Sequence, residues 1–362
     1  MIALLLAGIL GVQLQPPVRY SKMIELANPG GGKPRLQIVV PDDSLEVPKT
    51  APKDRTLIFD WVVSGLAKKL GSDGSPQIRF RVFSQKRRSE DDPAPKVARM
   101  LLRLWDLNSQ LLGIDHSEAF LMRMVDVYLC EGGRPGGEQR FDEDLNPVTN
   151  RPDKVNTIYI NELSSFSDPL EMAREIAHEY GHATLPPVGI YSGPEDWANG
   201  YMGERLYLKW LRDLIKAGNL QPDDAMGATV TALDGYLAKY VDPLVKRMGL
   251  SGPNRKVLSM KGAPAMEEYW ALVAYAQAIF PPKLLRRAFS LSGSQEALDF
   301  ESSMVEAAEE PGSWTLKIPE LLKGSRIWIP VGEATVSGGK VVQSKKGWSQ
   351  VAPTGPELKI SN

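Results

Sequence analysis

The spacing of hydrophobic and polar residues predicts a small sheet in the first half of the chain. Gln77–Phe83 alternates apolar with polar or basic side chains, as a half-buried strand does. Runs rich in β-branched or aromatic residues predict further strands at Arg35–Val40, Met124–Cys130 and Asn156–Asn161. Leu57–Leu70 is apolar enough for a strand that passes into a helix. We interpret the Gly- and Pro-containing segments between these runs as loops.

Other segments carry apolar residues at helical spacing. Val97–Leu112 does so apart from the polar Asn108, and we expect a long amphipathic helix there. Pro169 is typical of the first position of a helix, and that helix should run through Ala183 and stop before Pro186. The later helices that the pattern predicts are one from just after Pro194 to about Ala217, then Pro222–Met248, Ala263–Ile279 and Pro282–Leu291.

The chain changes character near Pro311. Trp314–Ile318, Arg326–Val331 and Lys340–Gln343 have the pattern of short strands between glycine-rich turns. The order of elements therefore predicts an α+β fold with a helical second half and a small β-rich C-terminal region. We divide the chain into residues 16–90 (lead-in and first strands), 91–310 (main domain) and 311–362. We predict that the tail is separable, because the composition shift near Pro311 suggests a boundary crossed by few core contacts. The alternative is that its apolar strands pack onto the helical half and form one core with it.

The first residues are expected to direct export. Met1–Gly11 contains no charge and is far shorter than the ~20 apolar residues of a bilayer span. Its length matches the apolar part of a secretory signal, so we interpret residues 1–15 as a signal peptide of an exported protein. A buried N-terminal strand or a truncated gene start is the alternative, because no Lys or Arg precedes the run. No other segment approaches membrane length, so the mature chain is expected to have no stable span.

Composition narrows the possible chemistry. The 362 residues include 43 Lys plus Arg and 44 Asp plus Glu, and the net charge of −1 argues against a nucleic-acid partner. Cys130 is the single cysteine, which excludes an internal disulfide and a cysteine-based metal cluster. Histidine chemistry must use His116, His178 or His182, since the chain has three histidines.

The most specific feature is the sequence His178-Glu179-Tyr180-Gly181-His182 within a predicted helix. Histidines at i and i+4 project from one helix face, one turn apart, so both imidazoles can bind one Zn²⁺. Glu179 follows the first histidine and is placed to take a proton from a metal-bound water as it attacks a carbonyl.

This motif resembles that of the HExxH zinc metallopeptidases, the zincins, over Glu175–Ala183. The resemblance implies a zincin-like catalytic domain and a peptide or protein substrate bound in extended form. It also implies that Asn156–Asn161 is the edge strand along which the substrate lies. Ala183 and the residues after it lack the Gly and third His of the metzincins, which favours the gluzincin branch with a carboxylate as third ligand. His116 lies well upstream, and we interpret it as a capping or surface histidine.

Two glutamates compete for the third ligand position. Glu195 lies in a Glu-x-x-Ala context with Asn199 one turn later, where members of this branch carry a side chain that orients a ligand histidine. Only twelve residues separate it from His182, and Ser192-x-x-Glu195 also fits a capping box. Glu204 has the longer spacing of better-known members but a less similar context. The two lie nine residues apart, so one helix cannot present both to one ion. We predict Glu195.

The sequence therefore predicts a secreted zinc-dependent peptidase that uses His178, His182 and Glu195 as ligands and Glu179 as general base. We also predict that removal of the tail leaves this metal site intact. The alternative is a non-catalytic secreted binding protein on a zincin scaffold. The intact Glu179 favours the enzyme, because a binding protein has no need of a general base.

Overall fold

The structure is a computed structural model. It describes residues 20–69, 72–85, 92–115, 124–146, 150–193, 195–310, 312–332 and 335–361. The predicted signal peptide and His116 lie outside the described residues. The chain divides into two compact units. The first runs to Asp106 and includes Ile114–Thr184 and Asp213–Thr229; the second consists of Leu107–Gly113, Leu185–Arg212 and the chain from Val230.

The described residues form the α+β fold that the sequence predicts. The helices are α1 (Ala94–Leu107), α2 (Pro169–Thr184), α3 (Asn199–Lys216), α4 (Val230–Tyr240), α5 (Asp242–Ser251), α6 (Arg255–Leu258), α7 (Ala263–Ile279), α8 (Pro282–Leu291) and α9 (Ala297–Glu309). The strands before residue 165 are β1 (Tyr20–Leu26), β2 (Leu36–Pro41), β3 (Lys49–Thr50), β4 (Ile58–Phe59), β5 (Trp61–Ala67), β6 (Gln77–Ser84), β7 (Val125–Leu129), β8 (Gly136–Asn146) and β9 (Arg151–Asn161). The strands of the tail are β10 (Ser313–Lys317), β11 (Ile327–Ile329), β12 (Thr335–Ser337), β13 (Gly339–Lys345), β14 (Trp348–Pro353) and β15 (Glu357–Ser361).

The first unit is built on a seven-stranded sheet in the order β1-β2-β5-β6-β7-β9-β8. Strands β6, β7 and β9 are parallel, and the others pair antiparallel with their neighbours. The expectation that Asn156–Asn161 is the edge strand was wrong, because β9 lies between β7 and β8. The edge strand is β8, in a segment that we had interpreted as loop. Its sequence is strongly charged, as edge strands often are, and so lacks the apolar signal of the interior strands.

An aromatic ladder holds the parallel strands together on one face of the sheet. Phe83, Tyr128 and Tyr159 are paired across β6, β7 and β9. Their rings are stacked, with centroids 5.1 Å apart for the first pair and 5.0 Å for the second. All three side chains are fully buried, so the ladder contributes both apolar burial and specific ring contacts.

Helix α2 packs on the opposite face of the sheet. The ring of Tyr180 makes an edge contact with Phe80 of β6, at a centroid distance of 5.6 Å. At the end of the helix the side-chain amide of Asn156 donates to the carbonyl oxygen of Ala183 at 3.0 Å. Packing and a buried hydrogen bond therefore fix α2 to strands that are themselves in the interior of the sheet.

Some predicted elements differ from the structure. The described part of Leu57–Leu70 contains strands β4 and β5 and no helix, because a strand buried on both faces has a continuous apolar run that resembles a buried helix. The predicted helix over Pro222–Met248 is divided into a 3₁₀ turn, α4 and α5. At Asn108, the polar break in Val97–Leu112, the α-helix becomes a π-helix.

The C-terminal strands share a core with the helices of the second unit. The hydroxyl of Tyr275 on α7 donates to the carbonyl oxygen of Trp328 at 2.8 Å and accepts its backbone N–H at 3.0 Å. The indole of Trp348 donates to Glu301 on α9 at 2.8 Å, and burial raises the pKa of that carboxyl. The ring of Phe280 contacts both Trp314 and Trp348. The C-terminal strands therefore share one core with the helices of the second unit, which favours the alternative over a separable tail.

Among the helices of the described residues, none is long and apolar enough to cross a membrane.

We expect a chain that ends at residue 310 to lose cooperative thermal unfolding, because it exposes the surfaces that Trp314, Trp328 and Trp348 cover. Trp348→Ala in the full chain should lower the free energy of unfolding by about 3–5 kcal/mol. Val342→Ala, at a position 41% exposed, is the control and should change it by less than about 0.5 kcal/mol. Calorimetry measures all three. A fragment that melts cooperatively at the temperature of the full chain would show that the tail is separable.

Candidate metal centre

Helix α2 carries the motif residues on a well-defined segment. The helix begins at Pro169, and the carboxylate of Asp168 accepts the backbone N–H of Leu170 at 2.9 Å, which satisfies one of the donors of the first turn. It ends at Thr184, just before Pro186 and Pro187, neither of which can donate a backbone hydrogen bond to continue it. The start and end agree with those expected from the sequence.

His178 and His182 lie side by side on this helix. Both are partly buried, and their Nε2 atoms are 3.2 Å apart. Two nitrogen ligands of a tetrahedral ion with bonds of 2.0–2.1 Å are separated by roughly 3.3 Å. The spacing of one helical turn therefore places the two nitrogens at the distance that a shared metal ion requires.

Glu195 completes a group of three side chains that are close enough to hold a metal ion. One ligand atom from each of His178, His182 and Glu195 lies within 4.8 Å of the other two. All three side chains are partly buried. The Glu195 carboxylate also accepts the backbone N–H of Tyr201, in the first turn of α3, at 3.4 Å. The positive end of that helix stabilises the carboxylate.

The segment before α3 folds back on itself and so presents Glu195 from a loop. The backbone N–H of Ala198 donates to the carbonyl of Val188 at 2.8 Å, and Gly189 forms a bridge with Trp197. A Cβ atom on Gly189 would overlap the Trp197 ring, so the turn requires glycine there. The expectation that a helix starts just after Pro194 and carries Glu195 was wrong, because α3 begins only at Asn199. A loop can bring Glu195 back to the histidines across the twelve residues that separate it from His182.

Glu204, the competing glutamate, does not belong to the group. It is buried within α3, with 3% of its surface exposed. Asn199 donates its side-chain amide to the carbonyl oxygen of Leu185 at 3.1 Å, which joins the start of α3 to the beginning of the returning loop. Among the described residues the structure thus groups Glu195, rather than Glu204, with the two histidines.

Glu179 is buried beside the histidines, with 4% of its surface exposed. Its neighbour across the sheet edge is Gly137 of β8. A Cβ atom on Gly137 would overlap Cγ of Glu179, lie 2.7 Å from its Oε1 atom, and lie 2.6 Å from Oε1 of Glu175. The backbone amide of Gly137 donates a hydrogen bond to Glu175. The edge strand and the helix are therefore in direct contact at the proposed general base.

Gly137 and Glu175 were missed by the sequence analysis. Gly136-Gly137 follows a segment rich in glycine and was interpreted as part of a loop. Glu175 falls within the motif segment, three positions before His178, but the motif gives it no role. The available signal was helical spacing, since residues 175 and 179 are four apart and therefore share a face.

Tyr180 and Tyr201 are packing residues in the structure. Tyr180 is fully buried against Phe80, and the ring of Tyr201 packs against Trp270 at a centroid distance of 5.2 Å. Burial, together with the charge of Glu296, raises the pKa of Tyr191 to about 12. Its hydroxyl therefore stays protonated at neutral pH.

No protein-family model matches the chain, and no curated protein is similar to it.

We predict that Glu195→Gln weakens zinc binding at least tenfold, because it replaces the anionic member of the donor group with a neutral amide that binds metal poorly. Glu204→Gln is the matched control and should bind zinc as the unsubstituted chain does. Isothermal titration of the metal-free proteins with zinc measures both affinities. Loss of zinc binding in the Glu204 variant alone would show that Glu204, which has the longer spacing from His182, is the third ligand.

Proposed function

We propose that this protein is a zinc-dependent metallopeptidase of the gluzincin type. The observation that carries the proposal is the donor group of His178, His182 and Glu195, with its ligand atoms within 4.8 Å of one another and the buried Glu179 next to the first histidine. Two imidazoles and one carboxylate are a ligand set of catalytic zinc sites, which keep one position open for water.

The donor set fits zinc because both histidines offer Nε2 atoms at ligand spacing and the carboxylate supplies a negative charge. A zinc ion bound there would lower the pKa of a bound water to ~7 and polarise a substrate carbonyl. In that setting Glu179 would hold the proton given up by the attacking water and would return it to the leaving amine. Glu179 is buried beside Gly137, so few water molecules compete with its carboxylate for the proton.

The substrate that this arrangement favours is an extended peptide. Strand β8 is at the edge of the sheet, and its Gly137 lies against Glu179. An extended chain can add to a sheet edge by backbone hydrogen bonds, which are independent of side-chain identity. A peptide laid beside β8 would pass the general base with its carbonyl groups regularly spaced.

We expect Glu179→Gln to bind zinc as tightly as the unsubstituted chain and to lose at least ~10²-fold in kcat, because an amide cannot accept the proton. His178→Ala should lose both zinc and activity, since two remaining ligands hold the ion weakly. Hydrolysis of a fluorescently labelled unfolded protein measures activity, and elemental analysis measures zinc.

The control is Glu171→Gln, which removes the charge of an exposed carboxylate from the same helix and should leave both quantities unchanged. Full activity in the Glu179 variant would refute the proposed general base. A chain that binds zinc stoichiometrically and cleaves no peptide would instead support the non-catalytic binding protein.

A further inference from the structure

The contact between Glu175 and Gly137 links the helix of the metal centre to the edge of the sheet. The Gly137 backbone amide donates to a carboxylate oxygen of Glu175. Strand β8 is otherwise joined to the sheet through β9 on one side. This hydrogen bond is therefore a direct tie between β8 and α2, at the point where the strand begins.

The same face of α2 carries Glu175 and Glu179. Residues four apart on a helix are neighbours, so the two carboxylates lie one above the other. The backbone at Gly137 passes so close to both that a Cβ atom there would overlap Glu179 and lie 2.6 Å from Glu175. Glycine is required by this close approach alone, because Gly137 is not among the residues with positive φ.

We infer that Glu175 is a positioning residue: by accepting the Gly137 amide it holds β8 against α2, and the strand backbone in turn confines the side chain of Glu179. This inference rests on the proposed function for its catalytic consequence. The contact itself does not depend on that function, so the two can be tested separately.

Two features make the contact suited to this role. Glu175 is partly buried, so its hydrogen bond competes less with water than an exposed one. A charged acceptor also makes a stronger hydrogen bond to a backbone amide than a neutral acceptor does. Without it, the first residues of β8 would lose their hydrogen bond to α2, and Glu179 would lose the surface that restricts its rotamers.

The test uses the zinc-loaded full chain and compares Glu175→Met with Glu175→Gln. Methionine is similar in size, favours helix and offers no comparable acceptor, whereas glutamine keeps an oxygen for the amide. Glu171→Met on the same helix is the matched control. For each protein, hydrogen exchange at the Gly137 amide, zinc content, melting temperature, kcat and KM are measured.

We expect Glu175→Met to retain zinc, to exchange the Gly137 amide at least tenfold faster, and to lower kcat at least tenfold with a smaller change in KM. Glu175→Gln should keep most of the protection of the Gly137 amide from exchange and most of kcat. Glu171→Met should resemble the unsubstituted chain. A residue that serves folding alone would lower the melting temperature without changing kcat.

A second pair of variants tests the close approach from the strand side. Gly137→Ala should lower kcat at least tenfold with zinc retained, because the added methyl group displaces Glu179. Gly132→Ala is the control, since a Cβ atom there has no neighbour within 4 Å.

Unchanged exchange at Gly137 in Glu175→Met would overturn the inference, as would unchanged kcat in a chain whose activity depends on Glu179. If the unsubstituted chain binds zinc but hydrolyses no peptide, the proposed function fails. Exchange at Gly137 then still decides whether Glu175 ties the strand to the helix.

Discussion

The distance between two imidazole nitrogens on one helix face is the constraint on which the rest of the site depends. His178 and His182 hold their Nε2 atoms 3.2 Å apart because one helical turn separates them. Such a spacing is useful only if the helix is held in place. The sheet holds it through the contact of the Tyr180 ring with Phe80 and the hydrogen bond from the Asn156 amide to the end of the helix.

The edge strand of the sheet lies against Glu179, the proposed general base. A general base needs a defined orientation, and Glu179 lies against the backbone of β8 at Gly137. Glycine at position 137 makes that approach sterically possible, and Glu175 supplies the acceptor that keeps the strand in place. The two histidines and the proposed general base thus lie on the same two turns of one helix, whereas Glu195 comes from a loop.

The sequence predicted those parts of the molecule in which local spacing determines the structure. Helix α2, with its capping Asp168 and terminating prolines, and the one-turn pairing of the histidines follow directly from residue order. Glu195 was identified from its neighbours, but it was placed on a helix, because nothing local shows that the segment before Asn199 folds back as a loop. Strand β8 was missed because its charged residues give no alternating apolar signal. Contacts between segments that are distant in the sequence, such as Gly137 with Glu179 and the tail with Tyr275, cannot be predicted from the local spacing of apolar and polar residues.

We propose that His178, His182 and Glu195 together hold one zinc ion. The most direct test is X-ray absorption spectroscopy combined with elemental analysis of the zinc-loaded full chain. We expect one zinc per chain, with two imidazole nitrogens and a carboxylate oxygen at about 2.0–2.2 Å and no sulfur. A zinc content no higher than that of the His178→Ala variant, or a coordination shell without imidazole, would contradict it.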